Sequence, residues 1–214
     1  EEDWMESWKK FWKPEPIGTD LVVLPCWMKL PDKYNNKKVI RIDPGAAFGT
    51  GGHPSTSLCL ETMEKVLING KSIIDVGSGS GILSIAANLL GAKNIVAVDS
   101  DYLAVNSTLE NYQLNFGALS NLKSYKGSFS DIQEKYALTK FDLIVCNILA
   151  KVIKVIVPNI SKSLKRGGKA IFSGILASQR EEIIKVLNLN YLKIDNVSFK
   201  NDWICILATK IQPS

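Results

Sequence analysis

Strand-like and helix-like segments alternate from about residue 54 to the end of the chain. Apolar runs predict strands at five positions, of which the third is the weakest: residues 72–76, 95–98, 122–125, 141–146 and 169–173. Apolar residues at helical spacing predict helices before and between them, at about residues 56–67, 82–90, 102–115, 151–164 and 178–187. Asp101 stands directly before the third helix, where its side chain can cap the first turn.

Two further strands, at residues 192–199 and 203–210, are predicted near the end of the chain. The three residues between them are too few for a crossover helix, so these strands must form an antiparallel hairpin. Alternating strands and helices followed by a hairpin predict an α/β fold, with a doubly wound, mostly parallel sheet and an antiparallel edge. Short strands are also expected at residues 21–24 and 38–42, with a turn at 31–36.

Four aromatic side chains lie at helical spacing in the first twelve residues: Trp4, Trp8, Phe11 and Trp12. Prolines and a glycine between residues 13 and 18 end this predicted helix. Two interpretations stay open, since the aromatic face either packs back onto the domain or joined it to a further N-terminal domain. The first residue is Glu rather than Met, from which a fragment of a longer protein is expected.

Composition narrows the class of protein. The chain has 214 residues, enough for one well-filled domain, and its 46% hydrophobic and 22% charged residues are ordinary for a soluble globular protein. The sole histidine, His53, leaves too few ligands for a zinc site, and no metal is expected. No apolar run suits a membrane span and no secretory signal is recognisable. The cysteines form no CxxC pair, which favours reduced thiols and a cytoplasmic location: Cys26, Cys59, Cys146 and Cys205.

The net charge of +5 is unevenly distributed along the chain. Residues 151–214 hold eleven basic and four acidic residues, so this last third carries +7. One interpretation is a solvated lysine-rich surface, and the other is an electrostatic contact with something anionic, such as a ribosomal particle. The basic residues are dispersed along the sequence without interleaved aromatics, which favours the solvated surface.

A glycine-rich loop at residues 77–81 (GSGSG) carries the strongest chemical signal. It follows a predicted strand and precedes a predicted helix. Asp99 lies 22 residues beyond Gly77, at the end of the next strand, where its carboxylate can accept hydrogen bonds from both hydroxyls of a ribose. The dinucleotide fingerprint requires a glycine where this chain has Ile82. Asp75, just before the glycines, would repel a pyrophosphate but suits a ligand with a cationic amino group. These residues together indicate a sulfonium methyl donor.

Two further motifs flank the same predicted site. In residues 43–56 (DPGAAFGTGGHPST), glycines make a pliable loop and the hydroxyls of Ser55 and Thr56 can cap the next helix. A single histidine beside a proline is more often a structural hydrogen-bonding residue, so His53 is given no catalytic role. Asn147 follows a strand at the carboxyl edge of the predicted sheet, where ligands bind. Its carboxamide oxygen can accept a hydrogen bond from an amine.

These motifs resemble the bacterial family of methyltransferases that modify large-subunit ribosomal protein eleven. The resemblance runs through most of the chain and is carried by five stretches: residues 43–56, 74–87 (IDVGSGSGILSIAA), 97–101 (AVDSD), 147–150 (NILA) and 173–179 (SGILASQ). Ser78 and Ser100 depart from the family pattern, which often has Cys and a hydrophobic residue there. The resemblance implies a class I, Rossmann-like methyltransferase domain at residues 54–214, preceded by a segment of short strands at 19–53 and a linker helix with its break at 1–18.

The resemblance also implies the cofactor, S-adenosylmethionine, and the residues that bind it. Four positions match the donor site of the family: Thr56, Gly77, Asp99 and Asn147. Four more from the same motifs are assigned to this donor site: Phe48, Thr50, Asp75 and Gly79. The implied acceptors are lysine ε-amines and the N-terminal α-amine of the ribosomal protein, and the substrate-recognition domain that precedes the linker helix in this family is expected to be absent from this chain.

Methyl transfer from a sulfonium requires alignment of the acceptor lone pair more than acid–base chemistry. We therefore expect no general base and assign Asn147 the catalytic role of orienting the amine. Methyltransferases of nucleic-acid bases or glutamine amides remain an alternative, although they use prolines and a stacking aromatic after the asparagine where this chain has Ile148, Leu149 and Ala150. A donor-binding module without catalysis is a further alternative. A monomer with no membrane contact and no nucleic-acid substrate is expected.

Overall fold

The computed structural model describes residues 12–43, 51–66, 68–136 and 139–211. The first described elements form a three-stranded sheet of β1 (Glu15–Ile17), β2 (Leu21–Pro25) and β3 (Lys38–Ile42). β1 pairs with β2 antiparallel, and β2 pairs with β3 parallel. A 3₁₀ turn at Asp32–Tyr34 lies within the predicted turn between β2 and β3. The sequence predicts β2 and β3 but not β1.

A seven-stranded sheet forms the centre of the molecule. Its strands are β4 (Ser72–Val76), β5 (Asn94–Asp99), β6 (Leu122–Lys126), β7 (Phe141–Asn147), β8 (Leu164–Leu176), β9 (Leu192–Lys200) and β10 (Trp203–Lys210). They lie in the order β6-β5-β4-β7-β8-β10-β9. The pairs from β6 to β8 are parallel, whereas β10 runs antiparallel to both β8 and β9. The predicted parallel sheet with an antiparallel hairpin at its edge is confirmed.

The described part of the chain has six α-helices beside the strands: α1 (Pro54–Lys65), α2 (Ile82–Leu89), α3 (Tyr102–Phe116), α4 (Phe129–Lys135), α5 (Ala150–Ser163) and α6 (Arg180–Leu189). Five of them are predicted to within about two residues at each end, and Asp101 caps α3 as expected, since its Oδ1 accepts a hydrogen bond from the Leu103 N–H at 2.9 Å. The sequence pattern does not predict α4. Within the described residues, no helix combines the length and apolar composition needed to cross a membrane.

The central sheet is buried on both faces, as expected for a doubly wound fold. Successive residues of β4 point to opposite sides, so that Ile73 packs with α1, α2 and the three-stranded sheet, whereas Ile74 packs with α4, α5 and α6. The three-stranded sheet contributes side chains such as Leu21 and Ile40 to the first of these clusters. It therefore shares a core with the main sheet.

One carboxylate fixes the three-stranded sheet onto α1. The side chain of Glu64 accepts hydrogen bonds from the backbone N–H groups of Thr19, Asp20 and Leu21, each at 2.9 Å. Gly18 precedes them with φ +53°, and a Cβ there would clash with the Glu64 carboxylate. Glycine is favoured at position 18 because of its left-handed backbone, and a side chain there would also displace this carboxylate.

Of the aromatic residues in the predicted first helix, the described residues include only Trp12. Its ring lies 6.4 Å from that of Trp27 in an edge-to-face arrangement. Trp4, Trp8 and Phe11 lie outside the described residues. The helix and its two interpretations therefore stay predictions.

Candidate active site

A cavity of about 630 Å³ opens at the carboxyl end of the parallel strands. It lies beside the point where the strand order reverses between β4 and β7, which is where ligands bind in open α/β sheets. Its wall includes several predicted site residues, namely Gly77, Gly79, Asp99 and Asn147. The topology thus brings together three motifs that are far apart in the sequence.

The glycine loop is held against two neighbouring strands. The Gly77 N–H donates a hydrogen bond to the Val98 carbonyl oxygen at 2.8 Å. Gly77 has φ +75°, and a Cβ there would clash with Cγ2 of Ile148, the residue that follows Asn147. The left-handed backbone favours glycine at this position, and any larger residue would also force the Ile148 side chain to move.

Asp99 ends β5 with its carboxylate held from two sides. The Gly79 N–H donates to Oδ2 at 3.0 Å, and the Asp101 N–H donates to Oδ1 at 3.0 Å. Each oxygen still has lone pairs that can accept further hydrogen bonds. Because Asp99 lines the cavity, its fixed carboxylate is suited to accept hydrogen bonds from the two hydroxyls of a ribose.

Asp75 lies beneath the glycine loop and is not part of the cavity wall. Its side chain is buried, and Ser84 Oγ donates a hydrogen bond to Oδ2 at 2.7 Å. Burial raises the pKa of Asp75 to about 7, with Ser84 opposing the rise and the negative charge of Asp99 adding to it. Oδ1 has no hydrogen-bond partner among the described residues. The sequence predicts direct contact between Asp75 and a cationic ligand group. This prediction is corrected, because the carboxylate lies behind the glycine loop and not on the cavity wall.

Asn147 is the last residue of β7, and its carboxamide is anchored at one end. Nδ2 donates a hydrogen bond to Thr56 Oγ1 on α1 at 3.0 Å. Oδ1 is buried and has no partner among the described residues, although Asn147 lines the cavity. Thr56 is fully buried and stands behind Asn147 rather than on the wall. An anchored amide with an unpaired oxygen is suited to receive a hydrogen-bond donor.

His53 has a structural position at the start of α1. Its Nδ1 accepts a hydrogen bond from the Ser55 N–H at 3.2 Å, so His53, and not Ser55 or Thr56, is the N-cap. The expected cap by the two hydroxyls is therefore wrong, because Ser55 Oγ lies 2.8 Å from His53 Nδ1 and Thr56 Oγ1 accepts from Asn147. The His53 ring also packs edge-on against Trp203, with 4.7 Å between ring centroids.

The cavity wall also contains residues that the sequence motifs do not predict. Trp203, the first residue of β10, lines the cavity together with Ser128 and Phe129 at the start of α4. Ser128 forms a capping box with Asp131, which is the sequence signal that could have revealed α4. Two predicted site residues, Phe48 and Thr50, lie outside the described residues.

Asn111 on α3 connects two of the motifs and was also missed. Its Nδ2 donates to the Ser80 carbonyl oxygen in the glycine loop at 2.9 Å, and its Oδ1 accepts from the Asp43 N–H at 2.8 Å. One turn later, Asn115 pairs with both backbone groups of Arg41 at 2.8 and 2.7 Å. Asn111 is buried, and it fixes the beginning of the 43–56 motif relative to the glycine loop.

Known proteins are similar to this chain in sequence and in fold. The family model described as Ribosomal protein L11 methyltransferase (PrmA) matches residues 1–211. Ribosomal protein L11 methyltransferases of Prochlorococcus marinus strains MIT 9515 and MIT 9312 are both 60% identical to this chain, over 99% and 98% of it and 70% and 69% of their own lengths. The crystal structure of ribosomal protein L11 methylase from Lactobacillus delbrueckii subsp. bulgaricus superposes with a TM-score of 0.85 at 33% identity, covering 94% of this chain and 100% of that one.

More distant structures share the fold alone. Aeropyrum pernix fibrillarin, solved with natively bound S-adenosyl-L-methionine, has a TM-score of 0.57 at 19% identity and covers 67% of this chain and 68% of that one. The predicted class I methyltransferase fold is thereby confirmed. The resemblance noted in the sequence is confirmed as well, and the chain belongs to the ribosomal protein L11 methyltransferase family.

Proposed function

We propose that this chain transfers methyl groups from S-adenosylmethionine to amines of ribosomal protein L11, namely lysine ε-amines and the N-terminal α-amine. The observation that carries this proposal is the anchored carboxamide of Asn147, whose Oδ1 has no partner among the described residues. An amine N–H is the complementary donor. S-adenosylmethionine is the methyl donor of this family, and the relatives that match the chain are named for ribosomal protein L11.

We place the donor along the glycine loop. Its ribose hydroxyls would donate hydrogen bonds to the Asp99 carboxylate, and its adenine would share the cavity that Ser128 and Phe129 also line. Gly77 and Gly79 leave room for the backbone to contact the ligand closely. Thr56 contributes indirectly by holding Asn147, and Asp75 joins the end of β4 to α2 by accepting the hydrogen bond of Ser84. Direct contacts from Phe48 and Thr50 stay predictions.

The chemistry is an in-line displacement. The amine lone pair attacks the methyl carbon while the carbon–sulfur bond breaks, and its electrons return to a sulfur that leaves uncharged. A lysine amine with a solution pKa of about 10.4 must first release its proton to water. The apolar wall with Trp203 and Leu149 favours the neutral amine, because burial disfavours charge. Among the described wall residues, His53 and Asp99 have side chains that can accept a proton. Each already accepts a hydrogen bond from a backbone N–H, of Ser55 and of Gly79 respectively, which supports a mechanism without a general base.

We propose the location and assembly of the protein from the same features. Cys59, Cys146 and Cys205 are buried as free thiols, which supports the reducing cytoplasm as its location. One chain supplies both the donor wall and Asn147, so we propose that a monomer is active. We propose no nucleic-acid acceptor, because the segment after Asn147 supplies aliphatic residues and no aromatic ring to stack a base. We also propose no membrane partner.

The function is tested by offering three acceptors with methyl-labelled donor: ribosomal protein L11, the same protein with acetylated amines, and a glutamine-containing peptide. We expect label on the unmodified ribosomal protein alone. Label on the glutamine peptide would favour the amide alternative. Calorimetric binding of S-adenosylmethionine with no transfer to any acceptor would favour a module without catalysis.

Asn111 offers a further test of the donor site. In Asn111→Ala, the Ser80 carbonyl and the Asp43 N–H both lose their partner, so we expect the Kd for S-adenosylmethionine to rise by about tenfold or more, equivalent to about 1.4 kcal/mol. Asn115→Ala is the matched control, because Asn115 makes similar backbone contacts without touching the glycine loop. Its Kd should stay within about threefold of the native value. Equal changes in both variants would show that Asn111 has no special connection to the donor site.

A further inference from the structure

A row of cationic side chains lies along the amino-terminal edge of the central sheet, opposite the cavity. Lys93, Lys71 and Lys140 precede β5, β4 and β7, while β8 begins with further cations. β10 is antiparallel to β8, and β9 is antiparallel to β10, so the end of β10 and the start of β9 lie at this same edge. We call these eight residues the basic edge: Lys71, Lys93, Lys140, Lys165, Arg166, Lys169, Lys193 and Lys210.

Contacts within the basic edge show that these residues are spatial neighbours. The Lys93 N–H donates to the Lys71 carbonyl oxygen at 2.8 Å. Lys169 is opposite Thr209 in the β8–β10 pair, one residue from Lys210. The pKa of Lys210 is lowered by burial and by the positive charge of Lys140, two strands away. Six adjacent strands at about 4.8 Å spacing place these cations along a row of about 24 Å.

The basic edge has few neutralising charges. Among the described residues, two carboxylates pair with it, Asp142 with Lys165 at 2.9 Å and Asp195 with Lys169 at 2.8 Å. Eight cations against two carboxylates leave a formal charge of +6. These cations are far apart in the sequence, but the strand order brings them side by side at one edge of the sheet. Their dispersal along the sequence therefore does not favour a merely solvated surface. The basic edge also has an aromatic neighbour. Tyr191 is 46% exposed, and the centroid of its ring lies 5.3 Å from Lys210 Nζ.

We propose that the basic edge binds the phosphate backbone of single-stranded RNA. Closely spaced cations gain affinity by displacing the counterions of a polyanion, and an exposed aromatic ring beside them can stack a base. A narrow row about 24 Å long suits an extended backbone better than a membrane, which requires a broad face with inserted apolar groups. The cavity opens at the other end of the strands, so RNA bound here leaves the amine site free. RNA is thus a binding partner and not a methyl acceptor.

The test compares two triple charge reversals that change the net charge equally. Lys93→Glu, Arg166→Glu and Lys193→Glu alter exposed residues of the basic edge that have no ion pair among the described residues. Lys29→Glu, Lys33→Glu and Lys185→Glu alter exposed residues outside it. Binding to a fluorescent single-stranded RNA is followed by anisotropy over a range of salt concentrations, and calorimetry with S-adenosylmethionine confirms that each variant is folded.

We expect the edge variant to raise the RNA Kd by about tenfold or more, and to reduce the slope of log K against log salt by about 0.7 for each lost phosphate contact. The control variant should stay within about threefold. The proposal is overturned if the native chain does not bind RNA, or if both variants weaken binding equally and net charge alone is responsible. Binding to vesicles of anionic lipid that depends on the edge, without RNA binding, would overturn it in favour of a membrane surface.

Discussion

Asn147→Ala is expected to lower kcat by about a hundredfold or more while the Kd for S-adenosylmethionine changes by less than about tenfold. The Asn147 carboxamide is anchored by Thr56 at one end, and its unpaired oxygen can fix the direction of the amine lone pair. Without that oxygen the amine still enters the cavity but samples unproductive directions. Single-turnover methylation of ribosomal protein L11 and calorimetry with the donor measure the two quantities separately.

Two variants check this role of Asn147 against simple loss of structure. Thr56→Val removes the anchor but keeps the amide, so we expect a loss of kcat smaller than that of Asn147→Ala. Asn147→Asp keeps an acceptor oxygen, but its charge stabilises the protonated amine, so its activity should need a higher pH than that of the native protein. Unchanged turnover in Asn147→Ala would contradict the role.

Asp75→Asn is expected to make the protein more stable at pH 8. In the folded chain burial raises the pKa of Asp75 from 3.8 to about 7, so folding takes up a proton between these values. The free energy of unfolding must therefore fall as pH rises through this window, by an amount on the order of 4 kcal/mol. Asparagine carries no charge at any pH and avoids this loss, while its carboxamide oxygen can still accept the Ser84 hydrogen bond.

Chemical denaturation at pH 4 and pH 8 measures the Asp75 effect. The stability of Asp75→Asn should lie close to that of the native chain at pH 4 and exceed it at pH 8. Ser84→Ala provides the opposite control, because the hydrogen bond from Ser84 lowers the pKa of Asp75, and its removal should reduce stability most at pH 8. A difference between Asp75→Asn and the native chain that is the same at both pH values would refute the assignment.

Much of the candidate site could be predicted because it lies where parallel strands end. Asp99 and Asn147 are the last residues of β5 and β7, so their side chains lie at the same edge of the sheet, where the cavity opens. The glycine loop follows β4 to the same edge. Hydrophobic patterning places these strands accurately, and β4 coincides with its predicted bounds. The position of the site follows from strand order alone.

The position of Asp75 shows where the sequence is insufficient. It is the last residue but one of β4, and strand alternation turns it to the same side as Ile73, toward α1 and α2. The charge of Asp75 suggests a place in the cavity, but the direction of its side chain places it in this core instead. Thr56 was similarly expected at the ligand, although it faces the interior of the protein and reaches the cavity only through Asn147.

Residues brought in from distant elements could not be predicted from local pattern. Asn111 lies on a helix whose amphipathic pattern is weak, and its partners at Asp43 and Ser80 are 68 and 31 residues away. Trp203 reaches the cavity only because the final hairpin joins the edge of the parallel strands. α4 has seven residues and buries two side chains, Phe129 and Ile132, which is too few to establish a helical period.

The intact mass of ribosomal protein L11, measured after incubation with this chain and S-adenosylmethionine, tests the central claim most directly. We predict mass increases in whole methyl units, located by fragmentation on lysine side chains and the N-terminal amine. The increases should be abolished by acetylating those amines and greatly slowed by Asn147→Ala. An unchanged mass under conditions where calorimetry shows bound donor, or methyl groups on residues without an amine, would contradict the proposed amine methyltransferase.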